Sequence, residues 1–185
     1  MKPMKNLKNV DKSNECKTPP GTVKYILKYI PKNVRTIWCP CDKADSNIVK
    51  ELKQFGYDVI HTHIDDGWDF LNYSPIPGTY DMIITNPPFN IKTKIFARAY
   101  ELKVPFIFYF PITALEGINR GKLFAEHGVN VAVLMARINF ITEKGETTNC
   151  WFNTSLFYWT EDGDRRPLEW IDNSNDTEQL EFKYD

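Results

Sequence analysis

The sequence predicts an α/β fold built on a doubly wound, mostly parallel sheet that closes with an antiparallel hairpin. Short apolar runs alternate with segments whose apolar residues recur at helical spacing, the order that produces parallel strands joined by crossover helices. The run Val104-Pro105-Phe106-Ile107-Phe108-Tyr109-Phe110 is apolar throughout, as expected of a strand covered on both faces. Beyond Met135 the alternation stops. Arg137 to Thr142 and Trp151 to Thr160 read as two strands joined by a turn at Gly145, with no helix between them.

The first seventeen residues are polar and Lys-rich and read as a loose tail. Thr18-Pro19-Pro20 opens the structured part. Val23, Ile26, Leu27 and Ile30 then fall at helical spacing, with Thr18 or Thr22 as cap. Thr36-Ile37-Trp38 is a short strand that runs into Cys39-Pro40-Cys41-Asp42. The next helix is capped near Asp45 or Ser46, buries Ile48, Val49, Leu52 and Phe55, and stops at Gly56. Tyr57 to Ile64 is the second strand and Tyr80 to Thr85 the third. Asn86-Pro87-Pro88-Phe89 ends that third strand, because neither proline has an N–H to give to a ladder. A helix from about Thr93 to Leu102 precedes the apolar strand. A helix ending at Gly128 and a buried strand from Val129 to Met135 follow it. The acidic stretch 171–185 reads as a frayed tail, which leaves one domain, 18–170, of a size that one core supports.

Hydrophobic residues make up 42% of the 185 and aromatics 14%, which excludes bulk disorder. The formal charge of −1 excludes a generally basic protein held to phosphate by long-range attraction. A local basic face is still available from Lys92, Lys94, Arg98, Arg120 and Lys122, all in one middle stretch. No apolar run is long enough to span a bilayer and no secretory segment is recognisable, so the chain reads as cytoplasmic, without a membrane partner and with reduced thiols. Cys39-Pro40-Cys41 has the wrong spacing for a zinc knuckle and no second pair follows, so no metal is expected.

Chemistry concentrates in Asp81-Met82-Ile83-Ile84-Thr85-Asn86-Pro87-Pro88-Phe89. A buried strand delivers a polar amide to the carboxyl edge of the sheet, where open α/β folds bind ligands. The two prolines stiffen the loop and leave carbonyls without internal partners, and a planar aromatic follows. An aromatic amine needs this set, because its lone pair is delocalised into the ring and its hydrogens must be drawn into acceptors before it can attack. The side-chain oxygen of Asn86 and the carbonyl of Pro87 can take those two N–H groups and stabilise the positive charge that grows on the nitrogen. Phe89 can stack on the ring, an interaction worth roughly 1–3 kcal/mol, comparable to the cost of pulling a base from a duplex.

At these residues the sequence resembles the amino-directed S-adenosylmethionine-dependent methyltransferases, a Rossmann-like family. Its order is similar to that of the DNA adenine-N6 methylases, small phage-borne ones in particular, with the host cytoplasm as their place of action. The likeness runs from about Thr18 to Thr160. It rests on Thr18-Pro19 before the first strand, Gly67-Trp68-Asp69-Phe70 upstream of the Asn-Pro-Pro-Phe strand, Phe110-Pro111 after it, and Arg120. The resemblance implies S-adenosylmethionine as cofactor and DNA as partner, with an adenine flipped into a pocket formed by Asn86, Pro87, Pro88 and Phe89. It places the cofactor along Cys39, Pro40 and Asp42, with Asp42 on the ammonium of the methionine part. Asp65 or His63 would meet the ribose, and Asp69 with Phe70 the cofactor's adenine. Lys92, Lys94 and Arg120 would face DNA.

The loop after the first strand departs from the family's glycine-rich form. Here it reads Trp38-Cys39-Pro40-Cys41-Asp42-Lys43-Ala44-Asp45-Ser46-Asn47. A similar Cys-Asp…Ser-Asn run occurs in EcoRI-type adenine methylases, which implies a variant cofactor loop. With no separate recognition domain, selectivity falls to Asn90–Lys94 and Gly117–Lys122 or to a second subunit. Two alternatives stand beside this reading. One is an amino methyltransferase acting on RNA or on a protein glutamine, although glutamine methylases more often carry Tyr at the Phe89 position. The other is a non-catalytic binding protein on the same fold.

Overall fold

The computed structural model describes residues 16–142, 153–162, 165–166 and 168–174. Cys16–Lys17 forms β1, Thr36–Cys39 β2, Asp58–His61 β3, Met82–Thr85 β4 and Phe106–Pro111 β5. Asn130–Leu134, Ile141–Thr142, Thr154–Trp159 and Glu169–Ile171 form β6 to β9, and the helices are α1 (Asn47–Gln54), α2 (Lys92–Leu102) and α3 (Ile118–His127). Seven strands make one sheet in the order β3-β2-β4-β5-β8-β6-β9. From β3 to β5 neighbouring strands are parallel, as expected of strands joined by crossovers. The fold class read from the sequence is the one observed.

The antiparallel closure is present with partners other than those read from the sequence. β8 lies between β5 and β6 and runs antiparallel to both. Of the stretch 137–142 only Ile141–Thr142 is strand, and it pairs with Cys16–Lys17 instead of β8, which brings two residues of the expected N-terminal tail into a sheet. The physical reason is that Ile138 and Phe140 are buried against Leu134 and Phe89 and so occupy a core of their own off the main sheet. The turn expected at Gly145 lies outside the described residues. Val23–Ile30 folds as two short 3₁₀ turns, Val23–Tyr25 and Leu27–Tyr29, in place of one α-helix. A repeat of three still puts Val23, Ile26 and Tyr29 on one buried side. β9 was not read from the sequence at all. It extends the sheet beyond β6, and Asn173 after it exchanges hydrogen bonds with both backbone groups of Ala136, at 2.6 and 3.0 Å.

Successive strand residues alternate between two cores. Ile37, Cys39, Met82, Ile84, Ile107 and Tyr109 face α1 and the 3₁₀ turns. Trp38, Ile83, Phe106, Phe108 and Phe110 face α2 and α3. The second core is aromatic: Phe96 of α2 meets Phe110 at 5.1 Å, Phe124 at 4.9 Å and Phe157 at 5.6 Å between ring centroids. Truncating so enclosed a ring costs about 3–5 kcal/mol. This packing fixes the height at which β2, β4 and β5 end, and therefore where their loops meet.

Candidate active site

β2 stands between β3 and β4, so the chain leaves its carboxyl end toward one side and returns on the other. Such a switch point opens a crevice between adjacent loops. The two loops that border it are Cys39-Pro40-Cys41-Asp42 after β2 and Asn86-Pro87-Pro88-Phe89 after β4. One buried hydrogen bond joins them: the hydroxyl of Thr85 donates to Asp42 Oδ2 at 2.6 Å. Asp42 is only 7% exposed. Burial pushes its carboxyl up to about 6, against the pull of hydrogen bonds from Thr85 and Ser46. Ser46 also caps α1, its hydroxyl accepting from Val49 N at 3.2 Å. One carboxylate thus ties the first crossover helix to the strand that carries the Asn-Pro-Pro motif.

Thr85 was not singled out from the sequence. The available signal was its place as the one polar residue ending an otherwise apolar strand, Met-Ile-Ile-Thr.

Beyond Thr85, Pro87 is buried, Asn86 is half-buried with its side-chain oxygen inward, and Pro88 is exposed. Phe89 is half-buried, 5.7 Å from the ring of Phe110 and 6.2 Å edge-on to Phe140. Lys92 Nζ donates to the carbonyl of Phe89 at 3.1 Å and so supports the loop from the start of α2. Asn86 and Phe89 are therefore both half-buried at the carboxyl end of β4, with Phe89 set against two core rings.

The other residues expected in the site distribute unevenly. Cys39 has no exposed surface and packs among Ile37, Val49 and Ile84, and Pro40 is buried beside it. Cys39 contributes only its carbonyl to the loop, accepting from Thr62 N at 3.1 Å. Burial raises both the Cys39 and the Cys41 thiols, so neither is a thiolate at neutral pH. Among the described residues no group of three His, Cys, Asp or Glu side chains is arranged to hold a metal.

At the end of β3, His63 Nδ1 accepts from the amide of Asp65 at 3.1 Å, which caps a 3₁₀ turn over Ile64–Asp66. Asp65 pairs with Lys43 at 2.6 Å, so the β3 end is held to the loop after β2 and borders the same crevice. Asp69 accepts from Leu71 N at 3.0 Å and from Asn72 Nδ2 at 2.9 Å. Those bonds give its carboxylate a turn-forming role, with acceptor capacity left on both oxygens. Phe70 is buried against Trp38 at 5.4 Å, and Trp38 Nε1 is satisfied by Thr62. Lys94 is exposed on α2, whereas Arg120 turns inward, donating to the carbonyl of Ala114 and to Thr93 Oγ1, each at 2.8 Å.

Neither a protein-family profile nor a curated protein sequence matches the chain. Solved structures do. The chain is similar in structure to a protein assigned as an S-adenosylmethionine-dependent class I methyltransferase of Listeria monocytogenes, at a TM-score of 0.54 and 12% identity, over 92% of this chain and 69% of that one. It is also similar to a protein assigned as the modification subunit of a type I restriction enzyme of Vibrio vulnificus, at 0.51 and 13% identity, over 88% of this chain. The fold is that of the Rossmann-like methyltransferases. The chain spans 48% of the length of the Vibrio subunit, so it matches the methyltransferase fold within a longer protein there. Open α/β folds bind ligands at such a switch point.

Proposed function

We propose that this chain transfers a methyl group from S-adenosylmethionine to the exocyclic N6 amino group of adenine in DNA. The observation that carries the reading is the position of Asn86-Pro87-Pro88-Phe89 at the carboxyl end of β4, tied by Thr85 to the buried carboxylate of Asp42 across the switch point. The residues fit the cofactor at that point: Asp42 is a buried carboxylate able to hold the ammonium of the methionine part by a charge-assisted bond. His63 and Asp65, at the end of β3, would meet the ribose, and the turn built by Asp69 would meet the adenine, with Phe70 anchoring that turn in the core. S-adenosylmethionine supplies an electrophilic methyl group on a sulfonium.

The chain's own residues do the rest. Asn86 Oδ1 and the Pro87 carbonyl accept the two amino hydrogens of the target base. Their dipoles orient the nitrogen lone pair toward the crevice and stabilise charge as the new bond forms. Phe89, braced by Phe110 and Phe140, offers a face for the flipped base. Lys92 and Lys94 lie at the start of α2 on the same edge and supply local positive charge in a chain of formal charge −1.

Labelled cofactor offered to mixed DNA, RNA and protein pools tests this. The expected product is N6-methyladenine in DNA. Label in RNA or on a glutamine side chain would reassign the substrate. No transfer by a protein that binds the cofactor or DNA tightly would make it a binding protein.

A further inference from the structure

We infer that Leu115 and Ile118 form an apolar wedge that enters the DNA stack beside the target adenine and holds the base out of the duplex. This rests on the proposed DNA substrate. β5 pairs with β4 through Thr85 and Phe108 and then continues for three more residues to Pro111. At roughly 3.3 Å per residue, the loop after β5 overhangs the Asn86 loop by about 10 Å. Its tip carries two large apolar side chains in water, Leu115 at 41% and Ile118 at 80% exposure.

Single exposed apolar residues are common on any surface. This pair differs because its loop is braced. Arg120 Nε is bonded to the carbonyl of Ala114 on one side of the tip, and its Nη1 to Thr93 Oγ1 at the start of α2. The amide of Ile112 is bonded to the carbonyl of Asn153 at 3.3 Å. Gly117, at φ 117°, lies against the guanidinium so closely that a Cβ would come within 2.8 Å of Arg120 Nη2. Only glycine permits that conformation and that approach. A loop fixed at three points, with an arginine turned inward beneath it, holds its apolar tip outward at a defined height.

The charge around the tip indicates the occupant. Arg120 reaches from the loop to Thr93, which brings Lys92 and Lys94 of α2 beside the tip, and Lys122 follows on α3, in a chain whose formal charge is −1 overall. Apolar side chains inserted between base steps, flanked by cations that meet the phosphates, are the means by which proteins unstack and kink a duplex. A base extruded toward Phe89 leaves a gap in the stack, and a branched aliphatic side chain fills it.

The test uses sheared genomic DNA from a bacterial strain without adenine methylation, both as duplex and after heat denaturation, with the whole chain and labelled cofactor. Ile118→Ala and the double variant Leu115→Ala/Ile118→Ala should lose about tenfold or more in kcat/KM on duplex and stay within about twofold on denatured DNA, where no base need be extruded. Ile118→Leu should stay near the wild type, and all melts should match because the side chains are exposed. Equal activity of the double variant on duplex, equal losses on both forms, or a wild type that uses only denatured DNA would each overturn the wedge. Methyl transfer by the wild type to RNA or protein alone would instead overturn the DNA reading, and the wedge with it.

Discussion

At the carboxyl end of β2 the chain turns through Pro40 and Cys41 and buries its polar group. At the carboxyl end of β4, one strand away, it turns through two prolines and leaves its polar group half-open. Asp42 is enclosed by Thr85, Ser46 and two raised thiols, and burial makes its charge harder to form than that of an exposed carboxylate. Asn86 is neutral, so no desolvated charge opposes its half-buried place at the strand end. The difference suits two kinds of task. A group that binds one fixed ligand gains from a buried, pre-shaped place, while a group that must meet each new substrate has to stay within reach of the surface.

The comparison can be broken most severely at Asn86. Asn86→Ala should leave the melt and cofactor affinity nearly unchanged while lowering turnover about a hundredfold or more, the cost of one lost transition-state acceptor. Turnover at the wild-type rate by this variant would end the assignment of Asn86 as a catalytic residue.

At Asp42 the effect is on binding and is set by pH. Its folded value, about 6, lies above the ordinary carboxylate range, so the fold favours the protonated form. The resulting stability is fully present below about pH 4 and is lost as pH rises through about 6, on the order of 2–3 kcal/mol relative to Asp42→Asn. A cofactor ammonium selects the ionised form, so affinity should rise between pH 5 and 7 in the wild type and stay flat in Asp42→Asn. Melts and calorimetric titrations across that range check both slopes. A flat wild-type binding profile would separate Asp42 from the cofactor.

The smallest effect is expected at Asp69. Asp69→Ala removes two acceptor bonds to the turn, about 1 kcal/mol each, and should lower the melting temperature by a few degrees. If the turn also borders the cofactor, affinity falls in the folded variant as well. Affinity equal to the wild type would leave the turn as its one role.

The parallel half of this fold was legible because each of its signals is local. An apolar strand, a Ser cap and a stopping glycine lie within a few residues of one another, as Ser46, Leu52 and Gly56 do. The Asn-Pro-Pro-Phe motif was legible for the same reason. The closure was not, because the partners of β8 lie far away in sequence, from Phe106 with Trp159 at one extreme to Val133 with Ser155 at the other, and its apolar pattern suits any neighbour. Cys39 was read as part of the cofactor loop because strand and loop share one run of sequence. Only the alternation of faces, Trp38 one way and Cys39 the other, sends its thiol into the core. The Asp42–Thr85 bond spans 43 residues, and no short window contains both ends.

The seat of β8 between β5 and β6 also orders events during synthesis. When residue 134 has emerged, β5 and β6 are both made, and each is buried along its whole length in the finished protein. Neither can pair with the other, since the space between them belongs to residues that come twenty positions later. Until Trp159 leaves the ribosome, the β8-facing edges of two apolar strands, Phe106–Pro111 and Asn130–Leu134, stay unpaired. Closure of such long-range pairing is slow, and open edges of this kind are where chains aggregate. Chains truncated just before residue 154 should therefore collect in inclusion bodies, whereas chains that include β8 should not.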